Sequence, residues 1–308
     1  MKSINFVVLG DQAIAAELGK KGTSTDVTIY DRKTSDIVYT WTAPITFPDK
    51  IQSLVQAVNI AEYAILNVAK LDRFLGEQIL ALDYAGIKDG FVLHSYEVDR
   101  EKLKGLLKNT ALANYQFVDN VNQLKQALLG LSPKALEGPL MIPVDHAFDV
   151  KGVGTVLLGV VRQGSLKVYD ELTLLPSGKT VLVKSIQMHD DPVESSSSPA
   201  RVGLAVKGVS AGDVSRGDLM CAPGAASVSS GPLVAKFVKS PFFKGDLADN
   251  QMYMLSIGMQ IRPVKVKLSG DMLEIAPEKP VAYRPGQACI LLKPDSPTTR
   301  IIGKGIIQ

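Results

Sequence analysis

The sequence predicts a multidomain fold: an α/β domain with a mainly parallel sheet, followed by two antiparallel β-barrels. Strand and helix patterns alternate in the first part, short strands with glycine turns fill the rest, and Pro- and Gly-rich segments separate the parts. Such alternation is typical of a parallel sheet covered by helices on both faces. Short strands without helical periodicity are typical of small barrels. We expect domains at residues 1–131, 139–224 and 231–308.

The elements of the first domain follow one another closely. The apolar runs predicted to be strands are residues 4–9, 27–30, 37–39, 64–69, 91–93 and 115–118. Five segments are predicted to be helices: residues 11–18, a helix that Pro48 opens and that continues through residues 51–58, one marked by residues 75–82 and ended at residue 86, one carrying residues 103–107, and one near residues 121–129. Gly86 is expected to end the third helix, because glycine adopts the left-handed conformation of a helix C-terminus. Asp99 is expected to cap the fourth, because its carboxylate accepts hydrogen bonds from the first backbone N–H groups.

The composition changes after Gly130. A linker with three prolines follows, at Pro133, Pro139 and Pro143, and a second flexible joint covers residues 222–231. The strands predicted for the two barrels are residues 154–161, 171–175, 181–186, 202–206, 233–238, 252–257, 260–268, 281–283 and 288–292. The two parts therefore each predict a small antiparallel barrel.

Composition excludes several classes of protein. Of the 308 residues, 46% are hydrophobic and 21% are charged, which is typical of a folded globular protein. Two cysteines and three histidines do not suffice for a disulfide framework or a zinc module, and we expect no metal site. No apolar run reaches the roughly 20 residues that cross a bilayer, and the N-terminus reads as a strand rather than a signal peptide. We expect a cytoplasmic protein without a membrane partner.

The net positive charge of the chain is concentrated in its last part, residues 231–308. Residues 231–308 carry eleven Lys or Arg against six Asp or Glu, whereas the two preceding parts are each close to neutral. A basic module can contact nucleic acid phosphates, and a solvated basic surface is the alternative. Lys265 and Lys267 alternate along one predicted strand, so both side chains are expected on the same face.

The middle part carries a resemblance to a known family. The stretch PVDHAFDVKGVGTV at residues 143–156 resembles the start of the second domain of EF-Tu-type translational GTPases, and the likeness continues at SIQMHD (185–190), RVGL (201–204) and RGDL (216–219). These segments look most like archaeal selenocysteine-specific, SelB-like elongation factors. Within that family, the chain looks close to a short form from methanogens that has been linked to pyrrolysine. The order of one α/β domain and two barrels fits the family over the whole chain.

The resemblance implies aminoacyl-tRNA binding coupled to a GTP-driven switch. The positions that match the family's pocket for the amino acid are Asp145, His146 and Arg201. Phe148 matches a nearby aromatic residue of the family, and a role in the core is its alternative. Arg is a permanent cation with a planar fork of donors, His changes charge near neutral pH, and Asp can orient either one. The alternative for Asp145 and Arg201 is a salt bridge between strands. The cations predicted to follow the tRNA backbone in the third domain are Lys265, Lys267, Arg262 and Arg300.

The motifs that bind GTP in this family have been lost together. A P-loop needs G-x-x-x-x-G-K-[ST] after the first strand, but Gly10 is followed by DQAIAAEL. The second switch retains only a proline in TAPIT (42–46), and HSYE (94–97) stands where the guanine is read. Gly10, Glu97 and Asp99 are the remnants of a nucleotide site, and helix capping is the alternative role of Asp99. Because these losses coincide, the sequence predicts a G-domain fold without ordinary GTP chemistry.

These observations predict a homologue of EF-Tu and SelB that binds a specialised aminoacyl-tRNA through its second and third domains. No catalytic residue and no cofactor are expected. GTP and Mg²⁺ would be cofactors only if the degenerate site still binds them. Two alternatives stay open: a decoy that binds the ribosome or another factor, and a GTPase with non-standard nucleotide contacts. Because residue 308 follows the third domain directly, no mRNA-hairpin-binding domain is expected. The amino acid, the tRNA and the oligomeric state stay open.

Overall fold

The computed structural model describes residues 2–249 and 251–308. The chain forms two compact units. The first is built from the residues up to Pro133 together with Pro294–Ile301, and the second from Lys134–Lys293 together with Ile302–Gln308. Residues 294–301 lie inside the predicted range 231–308, yet they pack with the first unit.

The first unit contains a seven-stranded mixed sheet. Its strands are β1 (Lys2–Gly10), β2 (Lys20–Ser24), β3 (Thr28–Lys33), β4 (Ile37–Ala43), β5 (Tyr63–Val68), β6 (Gly90–His94) and β7 (Gln116–Phe117), and its helices are α1 (Ile14–Leu18), α2 (Ile51–Val58), α3 (Arg73–Ala85), α4 (Arg100–Leu107) and α5 (Val121–Leu129). The strand order is β2-β3-β4-β1-β5-β6-β7. Strands β4, β1, β5, β6 and β7 run parallel, whereas β2 and β3 form an antiparallel edge. The parallel sheet with crossover helices is the architecture that the sequence predicts.

Helices cover both faces of this sheet. Helices α1 and α5 share one apolar core with every second residue of β1, such as Phe6 and Val8. Helix α3 contacts β1 outside that core and packs against α2, which places both helices on the opposite face. Two predicted helix ends are confirmed. Asp99 caps α4 with its carboxylate, and Gly86 ends α3 in the left-handed region with φ +71°. The Asp72 carboxylate caps α3 in the same way, which the sequence did not predict.

The second unit contains two closed barrels. The strands of the first barrel and its extensions are β8 (Met141–Val150), β9 (Gly154–Val160), β10 (Ser165–Lys167), β11 (Glu171–Leu175), β12 (Lys179–Met188), β13 (Asp191–Val193), β14 (Ser195–Ser197), β15 (Arg201–Lys207) and β16 (Leu219–Cys221). Their order is β11-β16-β8-β9-β15-β12-β13, and β11 also pairs with β12, which closes a ring of six strands. The barrel interior holds a single apolar cluster that includes Ile142, Leu157 and Leu204.

The second barrel is also a closed ring of six strands. Its elements are β17 (Ser227–Ser229), β18 (Leu233–Lys239), β19 (Met252–Ile257), β20 (Gln260–Ser269), β21 (Met272–Pro277), β22 (Val281–Tyr283), β23 (Ala288–Leu292) and β24 (Ile301–Ile307). Six of them close in the order β18-β21-β20-β19-β23-β24, and β17 pairs with β22 outside the ring. The prediction of one α/β domain followed by two antiparallel barrels is therefore confirmed.

The structure corrects two local predictions in the first unit. The helix predicted over residues 11–18 is a single turn, α1, because Asp11 and Gln12 form a turn that is held to neighbouring loops. Residues 20–24, which the sequence did not predict as a strand, form the edge strand β2 with exposed, polar side chains. Within residues 2–249 and 251–308, no helix has the length and apolar character that crossing a membrane requires.

Candidate functional site

A β-bulge brings two of the predicted site residues together. In the ladder between β8 and β9, Val144 pairs with Gly159 and His146 pairs with Leu158, so Asp145 is the extra residue of the bulge. A bulge re-aims side chains that would otherwise alternate between the two faces of a sheet. Consecutive residues can then meet, and Nδ1 of His146 donates a hydrogen bond to Oδ1 of Asp145. The sequence contained no signal for this bulge.

Arg201 completes the cluster from the first position of β15. Its guanidinium donates from Nη1 to Oδ2 of Asp145 and from Nη2 to Oδ1, the latter at 3.0 Å. The pairing is bidentate, the geometry in which a guanidinium binds a carboxylate most strongly. The Asp145 side chain is 1% exposed, whereas those of His146 and Arg201 are 12% and 15% exposed. The anchor is therefore buried, and its two partners reach the surface.

The environment of Asp145 favours its ionised form. Burial raises the pKa of this carboxyl group, but the charge of Arg201 and the hydrogen bonds from His146 and Arg201 act in the opposite direction. Together they hold the pKa of Asp145 below its ordinary value of 3.8. Asp145 thus stays anionic at neutral pH and fixes the orientation of Arg201 and His146.

Arg216 forms a hydrogen bond with the backbone of the bulge. Its Nε donates to the carbonyl of Asp145 at 3.2 Å, and the next residue, Gly217, donates its N–H to the carbonyl of Val144 at 2.8 Å. Arg216 belongs to the RGDL segment at residues 216–219, from which no role for this side chain could be predicted. The contact indicates that this arginine holds the bulged backbone in place.

An apolar floor lies beside the cluster on the outer face of the barrel. Phe148 follows His146 by two residues on β8, so both side chains share one face. The residues that continue this face across β9 and β15 by direct pairing are Val156, Leu158, Gly203 and Ala205. The Phe148 ring is exposed, at 42% of its maximal area. The structure therefore brings the four predicted pocket residues together: Asp145 is buried, and the donor groups of His146 and Arg201 lie near the exposed Phe148 ring.

The turn after β1 does not fit the phosphates of a nucleotide. Gly10 adopts φ +81°, and a side chain there would collide with the backbone of Asn67. Asn67 also donates its amide to the carbonyl of Asp11, and Asp11 accepts the N–H of Ala13 on its own carboxylate. In a phosphate-binding loop, backbone N–H groups of this turn bind the anion. Here the Asp11 carboxylate accepts one of these N–H groups, that of Ala13, and its negative charge would repel a phosphate.

Asp99 and Glu97, which match the family's guanine-reading position, form hydrogen bonds with residues next to them in the chain. Both hydrogen bonds of the Asp99 carboxylate go to the N–H groups of Glu101 and Lys102 at the start of α4, which fits the capping alternative. Glu97 is exposed and accepts the hydroxyl of Tyr96 at 3.2 Å. Neither arrangement supports recognition of a base by these carboxylates.

The four predicted tRNA-binding cations fall into two groups. Lys265 and Lys267 are exposed on the outer face of β20, as their alternation predicted. Arg262 is engaged inside the second unit, where it donates to the carbonyl of Pro280 at 3.3 Å and to Asp218 at 3.4 Å. Its guanidinium is therefore less available to a phosphate than the two lysines.

Arg300 occupies a site that the sequence did not suggest. It is 9% exposed, and its guanidinium pairs with the Glu77 carboxylate on α3 while packing over the rings of Phe47 and Phe74. A buried, fully paired guanidinium cannot bind tRNA phosphate without losing this pair. The tRNA contact expected from Arg300 stays a prediction, and this pairing disfavours it.

Comparisons with known proteins agree with this architecture. Residues 154–221 match the family Elongation factor Tu domain 2. The chain is 33% identical over 305 residues to Uncharacterized protein MJ0325 of Methanocaldococcus jannaschii, and the alignment covers 96% of each chain. It is 28% identical over 240 residues to the Selenocysteine-specific elongation factor of the same organism, covering 70% of this chain and 51% of that protein. The chain therefore matches about half of the length of that factor.

A solved structure extends the likeness to all three parts. The elongation factor SelB from Methanococcus maripaludis, in complex with a GTP analogue, superposes with a TM-score of 0.84. The superposition covers 100% of this chain and 79% of that one, at 24% sequence identity. At this level of identity the match shows a common fold.

Proposed function

The chain belongs to the family of EF-Tu-type translation elongation factors, and we propose that it binds an aminoacyl-tRNA without a GTP-driven cycle. The cluster of Asp145, His146 and Arg201 beside Phe148 carries this proposal. As a translation factor it would act in the cytoplasm, where the ribosome is a further candidate partner.

The outer face of β8, β9 and β15 suits the esterified amino acid. Arg201 and His146 offer hydrogen-bond donors at the surface, while the buried Asp145 carboxylate holds both in position. Phe148 and the apolar floor offer contact area to an apolar side chain or to a terminal base. The site thus combines polar recognition with apolar contact.

The body of the tRNA needs only a cationic surface. Lys265 and Lys267 are exposed neighbours on β20, at the spacing of every second residue of a strand. Contacts of this kind contribute affinity and position the RNA but read no sequence. We therefore assign these two lysines to the tRNA backbone and leave Arg262 and Arg300 to structural roles.

The resident carboxylate of Asp11 supports binding without a nucleotide switch. It stands where the family's loop holds phosphate, and it makes its hydrogen bond to Ala13 within the chain. The same feature favours the alternative of a decoy for the ribosome or for another factor. The two proposals differ in one respect, because a decoy has no need to distinguish charged from uncharged tRNA.

The experiment is a gel-shift titration with bulk tRNA of Methanocaldococcus jannaschii, used either aminoacylated or after deacylation. We expect tighter binding of the aminoacylated pool, and we expect Arg201→Met to remove that difference. Arg100→Met is the matched control, because Arg100 is an exposed arginine of the first unit that pairs with Asp119. Equal affinity for both pools would contradict the proposal and favour the decoy. Phosphate release from GTP above a protein-free blank would favour the GTPase alternative.

A further inference from the structure

A turn at residues 215–218, just before β16, supports the bulged part of β8. The N–H of Val144 donates to the carbonyl of Asp218 at 2.8 Å, and the N–H of Gly217 donates to the carbonyl of Val144 at 2.8 Å. Val144 comes directly before Asp145, the extra residue of the bulge. A bulge re-aims the side chain that it carries, so the position of this turn sets the direction of the Asp145 carboxylate.

The turn is in contact with the second barrel, which belongs to the same compact unit. Gly217 adopts φ +92°, and a Cβ atom there would lie 2.5 Å from the carbonyl oxygen of Met259, in the connection between β19 and β20. Only a residue without a side chain allows this approach. On β20, Arg262 donates from Nη2 to Oδ1 of Asp218 at 3.4 Å, and the two side chains are 12% and 7% exposed. The second barrel thus holds the turn through one backbone approach and one ion pair.

The buried Asp218 carboxylate depends on this arginine. Burial raises the pKa of Asp218 above its ordinary value, although the hydrogen bond from the Ser215 N–H and the charge of Arg262 act in the opposite direction. The Ser215 N–H donates to Oδ2 of Asp218 at 2.8 Å, and Arg262 supplies positive charge at Oδ1. Loss of the guanidinium would leave a buried carboxylate without its cation, which is strongly destabilising. Asp218 would then take up a proton or move toward water, and either change disturbs the turn.

The Arg262 guanidinium has a fixed position on the second barrel. Its Nε donates to the carbonyl of Pro280 at 3.3 Å, and its Nη1 donates to the carbonyl of Ile261 at 3.2 Å, while Nη2 reaches Asp218. A planar guanidinium that contacts three acceptors keeps one orientation. The link between β20 and the turn is therefore rigid.

We propose that Arg262 is a positioning residue for the amino-acid site on the first barrel. From the second barrel it fixes the turn at residues 215–218, the turn fixes the bulge, and the bulge directs the Asp145 carboxylate that orients His146 and Arg201. This role rests on the proposed function, since its ligand is the aminoacyl-tRNA, whereas the link from Arg262 to the bulge is a property of the free protein. It differs from a phosphate contact, because Arg262 itself does not touch the RNA.

Amide hydrogen exchange in the free, full-length protein tests the link from Arg262 to the bulge. In Arg262→Met, the N–H groups of Val144 and Gly217 should exchange faster than in the wild type, because the turn that pairs with them opens more often. The N–H of Val183 on β12, across the barrel from β8, should exchange at the wild-type rate. Unchanged exchange at Val144 and Gly217 would overturn the proposal.

Two further variants separate positioning from general stability. Arg284→Met is the matched control, because Arg284 is another half-buried arginine of the second barrel, and its guanidinium donates to Gln163 beside the first barrel at 3.0 Å instead of to the turn. Arg262→Lys keeps a cation near Asp218 and should return the exchange rates toward those of the wild type. Acceleration in Arg284→Met equal to that in Arg262→Met would indicate a general loosening of the barrels and count against the proposal, as would exchange in Arg262→Lys as fast as in Arg262→Met.

The functional measurement repeats the gel-shift titration with aminoacylated and deacylated tRNA. Arg262→Met should reduce the preference for the aminoacylated pool by about twofold to thirtyfold, the scale on which residues outside a site change its coupling, and should leave the affinity for deacylated tRNA and its salt dependence unchanged. A phosphate contact would instead weaken both pools alike and lower the salt slope by about one, which would overturn the proposal, as would an unchanged preference. If the wild type has no preference, the proposed function fails, and the exchange rates alone decide whether Arg262 holds the bulge.

Discussion

Asp145 and Arg201 form a bidentate ion pair that spans strand β9 and orders the surface of the first barrel. The carboxylate is buried, the guanidinium reaches the surface, and His146 shares the same carboxylate. This ion pair stabilises the bulge and positions the donor groups of Arg201 and His146.

Replacing Asp145 by Asn should therefore affect stability and binding together. The variant leaves the Arg201 charge without its partner, which typically costs about 3 kcal/mol of unfolding free energy or more for a buried pair. Chemical denaturation measures this loss, and the gel shift should show that charged tRNA loses its advantage. Asp119→Asn is the control, because Asp119 pairs with Arg100 at the surface, where a pair contributes at most about 1 kcal/mol. Equal losses of unfolding free energy in the two variants would contradict a buried, structural ion pair at Asp145.

Acid should weaken the wild type more than the Asn variant. The pKa of Asp145 is lower in the folded protein than its ordinary value of 3.8. The folded state therefore holds the ionised form more strongly than the unfolded state does, and this stabilisation is complete above the unfolded-state pKa. It is lost as the pH falls through the folded-state pKa. Denaturation curves recorded from pH 6 downward should converge for wild type and Asp145→Asn, and parallel curves would show that the carboxylate is not ion-paired.

Sequence patterns predicted those features that depend on local chemistry. The cap of α4 by Asp99 and the end of α3 at Gly86 follow from side-chain and backbone properties of single residues, and both are observed. The alternation of Lys265 and Lys267 followed from the period of a strand. Strand β2 was missed because its side chains are polar and exposed, so no apolar alternation marks it.

Features that depend on distant contacts could not be predicted. Arg300 and Glu77 are separated by 223 positions in the chain, and nothing near either residue indicates the other. The bulge at Asp145 depends on the register of two strands and on the support of Arg216. The resemblance implies which residues would form an amino-acid pocket, and the structure shows the hydrogen bonds that join Asp145, His146 and Arg201.

The Arg300–Glu77 pair should be structural rather than RNA-binding. Glu77→Gln leaves the guanidinium charge buried and should lower the unfolding free energy by about 3 kcal/mol or more, measured by chemical denaturation. The double variant Glu77→Leu with Arg300→Met removes both charges and should recover most of the loss. The salt dependence of tRNA binding should be the same in that double variant as in the wild type. A smaller salt dependence would assign Arg300 to the RNA after all.

Lys265 and Lys267 should contribute to the salt dependence of the affinity for tRNA. Each phosphate contact contributes about one unit to the slope of log affinity against log salt concentration, so Lys265→Ala with Lys267→Ala should reduce the slope by about two. The preference for charged over uncharged tRNA should persist, because these lysines contact the backbone alone. The control replaces Lys33 and Lys88 in the first unit, and an unchanged slope in the test variant would remove β20 from the RNA surface.

The most direct test of the account measures the affinity for aminoacyl-tRNA in the absence of nucleotide and with saturating GTP and Mg²⁺. A factor that has kept its amino-acid site and lost its switch should bind equally well in both conditions. The account is contradicted if GTP tightens binding by about fivefold or more, the scale of ordinary coupling between two sites.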